Sequence, residues 1–257
     1  FLEPIMSNSE TIHQFGNNAY GKPATGLNIL REVVMGRELF DHAFKTYANR
    51  WKFKHPTPED FFRTMEDASA VDLDWFWRGW FYSTDFVDIG IKEVKQYYVS
   101  ETPTADLKNV KVRKGRFGFE KGPFVYLVAG DNAEVKASSK KALEVEEFKT
   151  LADYVDQTFT AEEKANIKSP KYFYEVEFNK PGGMIMPILV EITYEDGSKD
   201  NYKYPAQIWR KGNESARKVY ATTKAIKSIQ VDPKLLTADI DVTNNSWPKV
   251  ETKSKFD

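Results

Sequence analysis

The chain has 257 residues, enough for two modest domains or one large one, each able to bury a core. Lys and Arg total 37 against 38 for Asp and Glu, so a net charge of −1 gives no global attraction to nucleic acid or to an anionic membrane. The absence of cysteine excludes thiolate metal sites, a cysteine nucleophile and disulfides, and leaves the compartment open.

No apolar run approaches the length of a membrane span. The opening Phe1-Leu2-Glu3-Pro4 has neither an initiator Met nor a basic leader, so the chain is expected to be a piece of something longer. Tyr20 stands one residue before Gly21, with Lys22 and Pro23 following. Pro23 suits the first position of a helix, where its missing N–H is not needed and its φ is already helical. Leu27, Leu30, Val33 and Val34 then share a face, and Gly36 supplies a stop. Tyr20 is thereby placed near a helix start. Its bland role is that of a half-buried tyrosine whose hydroxyl meets water.

A second amphipathic helix carries Leu39, Phe40, Ala43, Phe44, Tyr47 and Trp51 on one face and ends before His55-Pro56. Thr57-Pro58-Glu59-Asp60 reads as a cap, a first-position proline and two early acids that suit the positive helix end, leading into Phe61, Phe62 and Met65. Beyond Asp72, "DLDWFWRGWF" is aromatic almost all round, as in a helix buried between neighbours.

From Phe86 the period changes to two: Val87, Ile89 and Ile91 alternate against Asp88 and Gly90, which sets a domain boundary near Thr84. "KYFYEVEFN" alternates Tyr172, Tyr174, Val176 and Phe178 against Phe173, Glu175 and Glu177. "MIMPILVEITY" and "KDNYKYPAQIW" flank the Asp-Gly turn of Glu195-Asp196-Gly197-Ser198 and form a hairpin. Runs at Lys218–Thr222, Ile226–Val231 and Ala238–Val242 add short strands, and Pro187 and Pro205 point to edge or bulge positions. Between the β parts, "PFVYLVAG" reads as a strand, Ala142 to Phe159 as an amphipathic helix, and Thr160-x-x-Glu163 as the cap of a short one. The expected class is α+β: a helical part at 1–84, a β-sandwich at 85–248 with an α/β insertion at about 101–170, and a tail at 249–257.

The chemistry-bearing residues are few. His13, His42 and His55 include no pair at i, i+4 spacing, so the chain has no zinc motif, and one Glu10-x-x-His13 without a partner copy assigns no metal. Asp72 with Asp74, and Glu59 with Asp60, could be acid–base pairs, but their positions at helix starts give them a structural role. Trp75, Trp77 and Trp80 belong to a core more than to an aromatic cage. Lys108, Lys111, Arg113, Lys114 and Arg116 near Phe117 and Phe119 have the composition of a single-strand binding surface, yet acidic neighbours and glycines make a solvated hairpin the better reading, and no nucleic-acid partner is expected. No Ser/His/Asp order, Walker loop or dinucleotide fingerprint is present.

The stretch from Asn18 to Trp80 resembles the late catalytic-domain segment of the gluzincin aminopeptidases, the family of aminopeptidase N and leukotriene hydrolase. The matching residues are Tyr20, Lys22, Pro23 and Ala24; Leu27, Leu30 and Arg31; Gly36, Glu38 and Phe40; Tyr47; Asp60 and Phe61; and Trp80. "GGMIMPILVEITYEDGS" with "PAQIWR" resembles the β-sandwich that follows this segment in the family. The resemblance implies that Tyr20 is the tyrosine that hydrogen-bonds the oxyanion of the tetrahedral intermediate. It also implies a zinc cofactor and a peptide substrate for a longer parent. The family's His-Glu-x-x-His pair, its glutamate ligand and its amine-binding Gly-x-Met-Glu-Asn motif are absent here; in the family they lie upstream. The chain is therefore expected to be the C-terminal portion of such an enzyme, partnered by a missing N-terminal catalytic half, with no zinc and no activity of its own. The competing reading is a non-catalytic binding or scaffold protein made of a helical bundle and a β-sandwich.

Overall fold

The computed structural model describes residues 2–100, 126–129, 157, 160–161, 172–212 and 214–250, with the side chains of 97–100 and 126–129 outside the description. The expected helix at Ala142–Phe159, the Thr160-x-x-Glu163 cap and the basic stretch at 108–119 fall wholly or largely outside the described residues.

The first half is helical. Helix α1 (Lys22–Ile29) is continued at both ends by wide π-helical turns, Gly16–Gly21 and Leu30–Met35. Gly36, at φ 86°, then ends the run in a conformation that side chains with a Cβ rarely adopt. Helix α2 (Arg37–Trp51) buries Phe40 and Ala43. Helix α3 (Pro58–Ser69) starts on a complete capping box, in which the Asp60 N–H donates to Thr57 Oγ1 and the Thr57 N–H donates to Asp60 Oδ2 at 2.9 Å. Helix α4 (Asp74–Trp77) runs into a third π-helical turn, Arg78–Tyr82, and between them they bury Phe76, Trp77, Trp80 and Phe81, as their aromatic run requires.

One expectation fails here. The first helix does not begin at Pro23 but at Gly16, so Pro23 lies inside a continuous helical run. The wide turn accommodates it: the Lys22 N–H reaches back five residues to the Asn17 carbonyl, and the missing Pro23 donor falls at the switch from π to α winding.

Among the described residues the second half forms two four-stranded antiparallel sheets. One has the order β2-β1-β3-β6, with β1 Gly90–Ser100, β2 Tyr126–Ala129, β3 Tyr172–Asn179 and β6 Ser215–Thr222. The other has the order β5-β4-β7-β8, with β4 Ile188–Tyr194, β5 Lys199–Tyr204, β7 Ile226–Val231 and β8 Ser246–Trp247. Tyr174, Val176 and Phe178 from β3 join Ile188, Val190 and Ile192 from β4 in the core, and the Asp-Gly turn links β4 to β5 as expected. Helical and sheet residues form one contiguous apolar cluster running from Ile29 to Val231. Together the elements make an α+β fold.

Three strand details differ from the sequence reading. Ala238–Val242 is not a strand: Ala238 is left-handed at φ 60°, and the Ile240 N–H donates to the Val87 carbonyl across the loop. Pro187 and Pro205 sit just outside β4 and β5, where no ladder donor is needed. Asp88, which alternates against the apolar Val87 and Ile89, is nonetheless 8% exposed, and its carboxylate accepts a hydrogen bond from Asn244 Nδ2 at 2.8 Å.

Candidate active site

Tyr20 lies in the first π-helical turn, and the residues two positions either side fix that turn to the body of the protein. Asn18 is 4% exposed; its Nδ2 donates to the His13 carbonyl at 2.8 Å and its Oδ1 accepts from the Glu3 N–H at 3.3 Å. Lys22 Nζ donates to the carbonyls of Glu3 and Ser83, both at 3.0 Å. Burial pushes the Lys22 ammonium down from its usual pKa, and Asp85 partly offsets this. Residues 18 and 22 are one helical turn apart, so both face inward while Tyr20, midway between them, faces out.

The consequence is a tyrosine that is 67% exposed on a tethered helix. This is more open than the half-buried tyrosine of the bland reading. The ring has an edge-to-face contact with Phe15, centroids 5.5 Å apart, and Phe15 is itself exposed. The Tyr20 hydroxyl has no hydrogen-bond partner among the described residues. A neutral phenol so placed can donate its proton to whatever occupies the space outside the helix.

Several other residues of the quoted pattern turn out to be scaffold. Arg31 makes a two-pronged pair with Asp41, Nε to Oδ1 at 2.7 Å and Nη2 to Oδ2 at 2.9 Å, and so clamps α2 against the helix that carries Tyr20. Tyr47 and Phe61 pack edge to face at 4.9 Å, locking α2 to α3. Trp80 lies against Gly26, where a Cβ would sit 3.1 Å from the indole. Gly26 was not singled out from sequence; a glycine in the middle of a helical pattern was the available signal. Glu38 is exposed in the first turn of α2, where a carboxylate suits the positive end of the helix.

The remaining candidates are not brought together as a catalytic set. Asp60 serves the α3 cap, and Asp72 accepts from the Asp74 N–H at 3.3 Å and from Arg210 at 3.4 Å. Trp77 and Trp80 are buried in the core and Trp75 is half-buried beside them. His13 pairs with Glu3 through Nδ1 at 2.6 Å. Among the described residues no group of three His, Cys, Asp or Glu could hold a metal ion, so they do not fit a zinc site. No helix among them is long and apolar enough to cross a membrane.

Residues 2–80, the helical segment, match the peptidase family M1 domain. No curated protein matches the chain at a significant level.

Proposed function

We propose that the chain is the C-terminal portion of a zinc-dependent aminopeptidase that removes N-terminal residues from peptides, and that Tyr20 is its oxyanion donor. The observation that carries this reading is the outward Tyr20 hydroxyl, unpartnered among the described residues and held by Asn18 and Lys22 from behind. A donor fixed before the reaction loses nothing to reorganisation when charge develops on the carbonyl oxygen, which is what oxyanion stabilisation requires. No step is assigned to zinc here, because its ligands would have to come from a partner segment, the N-terminal catalytic half. This chain alone is accordingly proposed to be inactive.

The test uses the protein that carries the upstream segment, assayed on an aminoacyl-anilide. Tyr20→Phe should lower kcat by about 100- to 1,000-fold, the range for losing one oxyanion donor, with KM little changed. The thermal midpoint should barely move, since the ring and its contact with Phe15 remain. A variant that keeps most of the wild-type kcat returns Tyr20 to a packing role.

A further inference from the structure

Behind the Tyr20 helix lies a cavity of about 360 Å³. Asn18, Lys22 and Thr25, spaced at i, i+4 and i+7, turn one helical face toward it, and Tyr20 is not part of its wall. The apolar wall is formed by Trp80 from the helical region and by Val87, Met184 and Ile240 from the sandwich. This volume is at the small end for ligand sites, which combine an apolar lining with a few polar groups.

The polar groups are of opposite sign. Lys22 spends two of its three N–H donors on the Glu3 and Ser83 carbonyls, leaving one. Asp85, an exposed residue at the same cavity whose charge also acts on the Lys180 ammonium, has no ion pair within 4.0 Å among the described residues, and its carboxylate accepts no hydrogen bond from them. The two charges feel each other, as the upward pull of Asp85 on the Lys22 ammonium shows, yet they do not touch. A ligand that carries both signs itself satisfies both ends at once, and a plain anion or cation satisfies only one.

We propose that this cavity binds a free α-amino acid with an apolar side chain: its carboxylate on Lys22 Nζ, its ammonium on the Asp85 carboxylate, and its side chain against Trp80, Val87, Met184 and Ile240. The site is separate from the Tyr20 face and does not depend on the reading of Tyr20.

Calorimetric titration of the 257-residue chain with L-leucine, 4-methylpentanoate and 3-methylbutylamine tests this, because the three probes share an apolar body and differ only in charge. Leucine should saturate one site at least about tenfold more tightly than either singly charged probe, the scale of one added charge-assisted hydrogen bond. Asp85→Asn, which removes no tether, should weaken leucine about tenfold and leave 4-methylpentanoate bound equally or more tightly, because a like charge is removed. Thr25→Trp, placed at an exposed helical position on the rim, should abolish binding of all three by filling the cavity. The proposal is overturned if leucine binds no better than 4-methylpentanoate, if Asp85→Asn leaves leucine binding intact, or if the wild-type chain shows no saturable heat.

Discussion

The two regions of the molecule solve the problem of burying aromatic residues in different ways. In the helical region rings pack on rings: Phe62 stacks on Trp77 at 4.6 Å and meets Phe81 edge to face at 4.9 Å, and Trp80 stacks on Phe76 at 6.0 Å. The buried Trp80 Nε1 has no hydrogen-bond partner among the described residues. The half-buried Trp51 and Trp75 of the same region do donate, to Thr64 Oγ1 at 3.0 Å and to the Asp72 carbonyl at 3.2 Å, but in the sandwich the polar tips of the buried rings themselves are partnered. Trp209 Nε1 donates to the Met186 carbonyl at 2.8 Å, Tyr204 bonds Tyr220 through their hydroxyls at 2.9 Å, and Tyr194 donates to Asp200 at 2.6 Å. Burial, helped by these neighbours, drives the Tyr220 and Tyr194 hydroxyls well above the usual phenol pKa. The exposed aromatics follow the same division. Phe15, Tyr20, Phe44, Phe53 and Tyr82 are all helical-region residues, while the described sandwich exposes aliphatic residues and, at its edge next to the helical region, Phe86. The most deeply buried rings of the helical region are thus held mainly by shape, and those of the sandwich by directional bonds as well.

The largest test of this contrast is Trp80→Ala. The residue is 5% exposed and fills the space between Gly26 and Phe76, so truncation should cost about 3–5 kcal/mol. Because the core is continuous from Ile29 to Val231, the loss should appear as a lowered single transition in calorimetry, not as melting of the helices alone. Two separated transitions in the variant would mean that the regions are independent and that the shared cluster is contact without cooperation.

A smaller effect is expected in the sandwich from Tyr174→Phe, which deletes one atom. The Tyr174 hydroxyl accepts from the Ile226 N–H at 3.1 Å and from Gln96 Nε2 at 3.3 Å. Removing it leaves a buried backbone donor unmet at the start of β7, for a loss of about 1–3 kcal/mol in chemical denaturation. A neutral outcome would place the sandwich under the same shape-dominated rule as the helices.

How far the sequence reached follows from how local each signal is. The α3 cap, the β4–β5 turn and the aromatic helix are each encoded within ten or so consecutive residues, and all three form as read. Asp88 could not be placed, because its alternating pattern looks solvated until Asn244, 156 residues away, arrives as its donor. Ala238–Val242 has strand-forming residues but no ladder to join; Asp239 instead accepts from the Ile89 N–H at 3.2 Å and holds the segment as a loop. The start of the Tyr20 helix was misplaced because Gly21 and Pro23 mark an α-helix boundary, and a π-helical turn overrides that rule. The role proposed for Tyr20 draws on the pattern around it, whereas its outward pose became legible only through Asn18 and Lys22.

The smallest effects are the most discriminating, since two glutamates should respond to acid with opposite sign. In the sandwich, Lys92 and Arg217 flank Glu177 at 2.8 and 2.7 Å and hold its carboxyl below the usual range, although burial opposes them. A depressed folded pKa means stability that is present above the unfolded value of about 4.3 and lost as pH falls through the folded one. In the helical region, Glu66 lies in the opposite situation: burial raises its carboxyl, and Asp74 and Asp72 add to the rise, while the Leu73 N–H donating to Oε1 at 2.9 Å opposes it. A raised folded pKa means a charged form that costs stability at neutral pH, a cost that disappears as the group takes up its proton on acidification. Glu177→Gln should therefore lower the thermal midpoint at pH 7, and its gap to wild type should close below about pH 4. Glu66→Gln, which keeps the acceptor for Leu73, should leave the midpoint at pH 7 equal or slightly higher, and any gain should likewise fade on acidification as the wild-type carboxyl becomes neutral. Midpoints of the three proteins followed from pH 7 to pH 3 decide the matter: if Glu66→Gln loses stability at pH 7 as Glu177→Gln does, the helical region also relies on directional charge bonds and the contrast between the two halves fails.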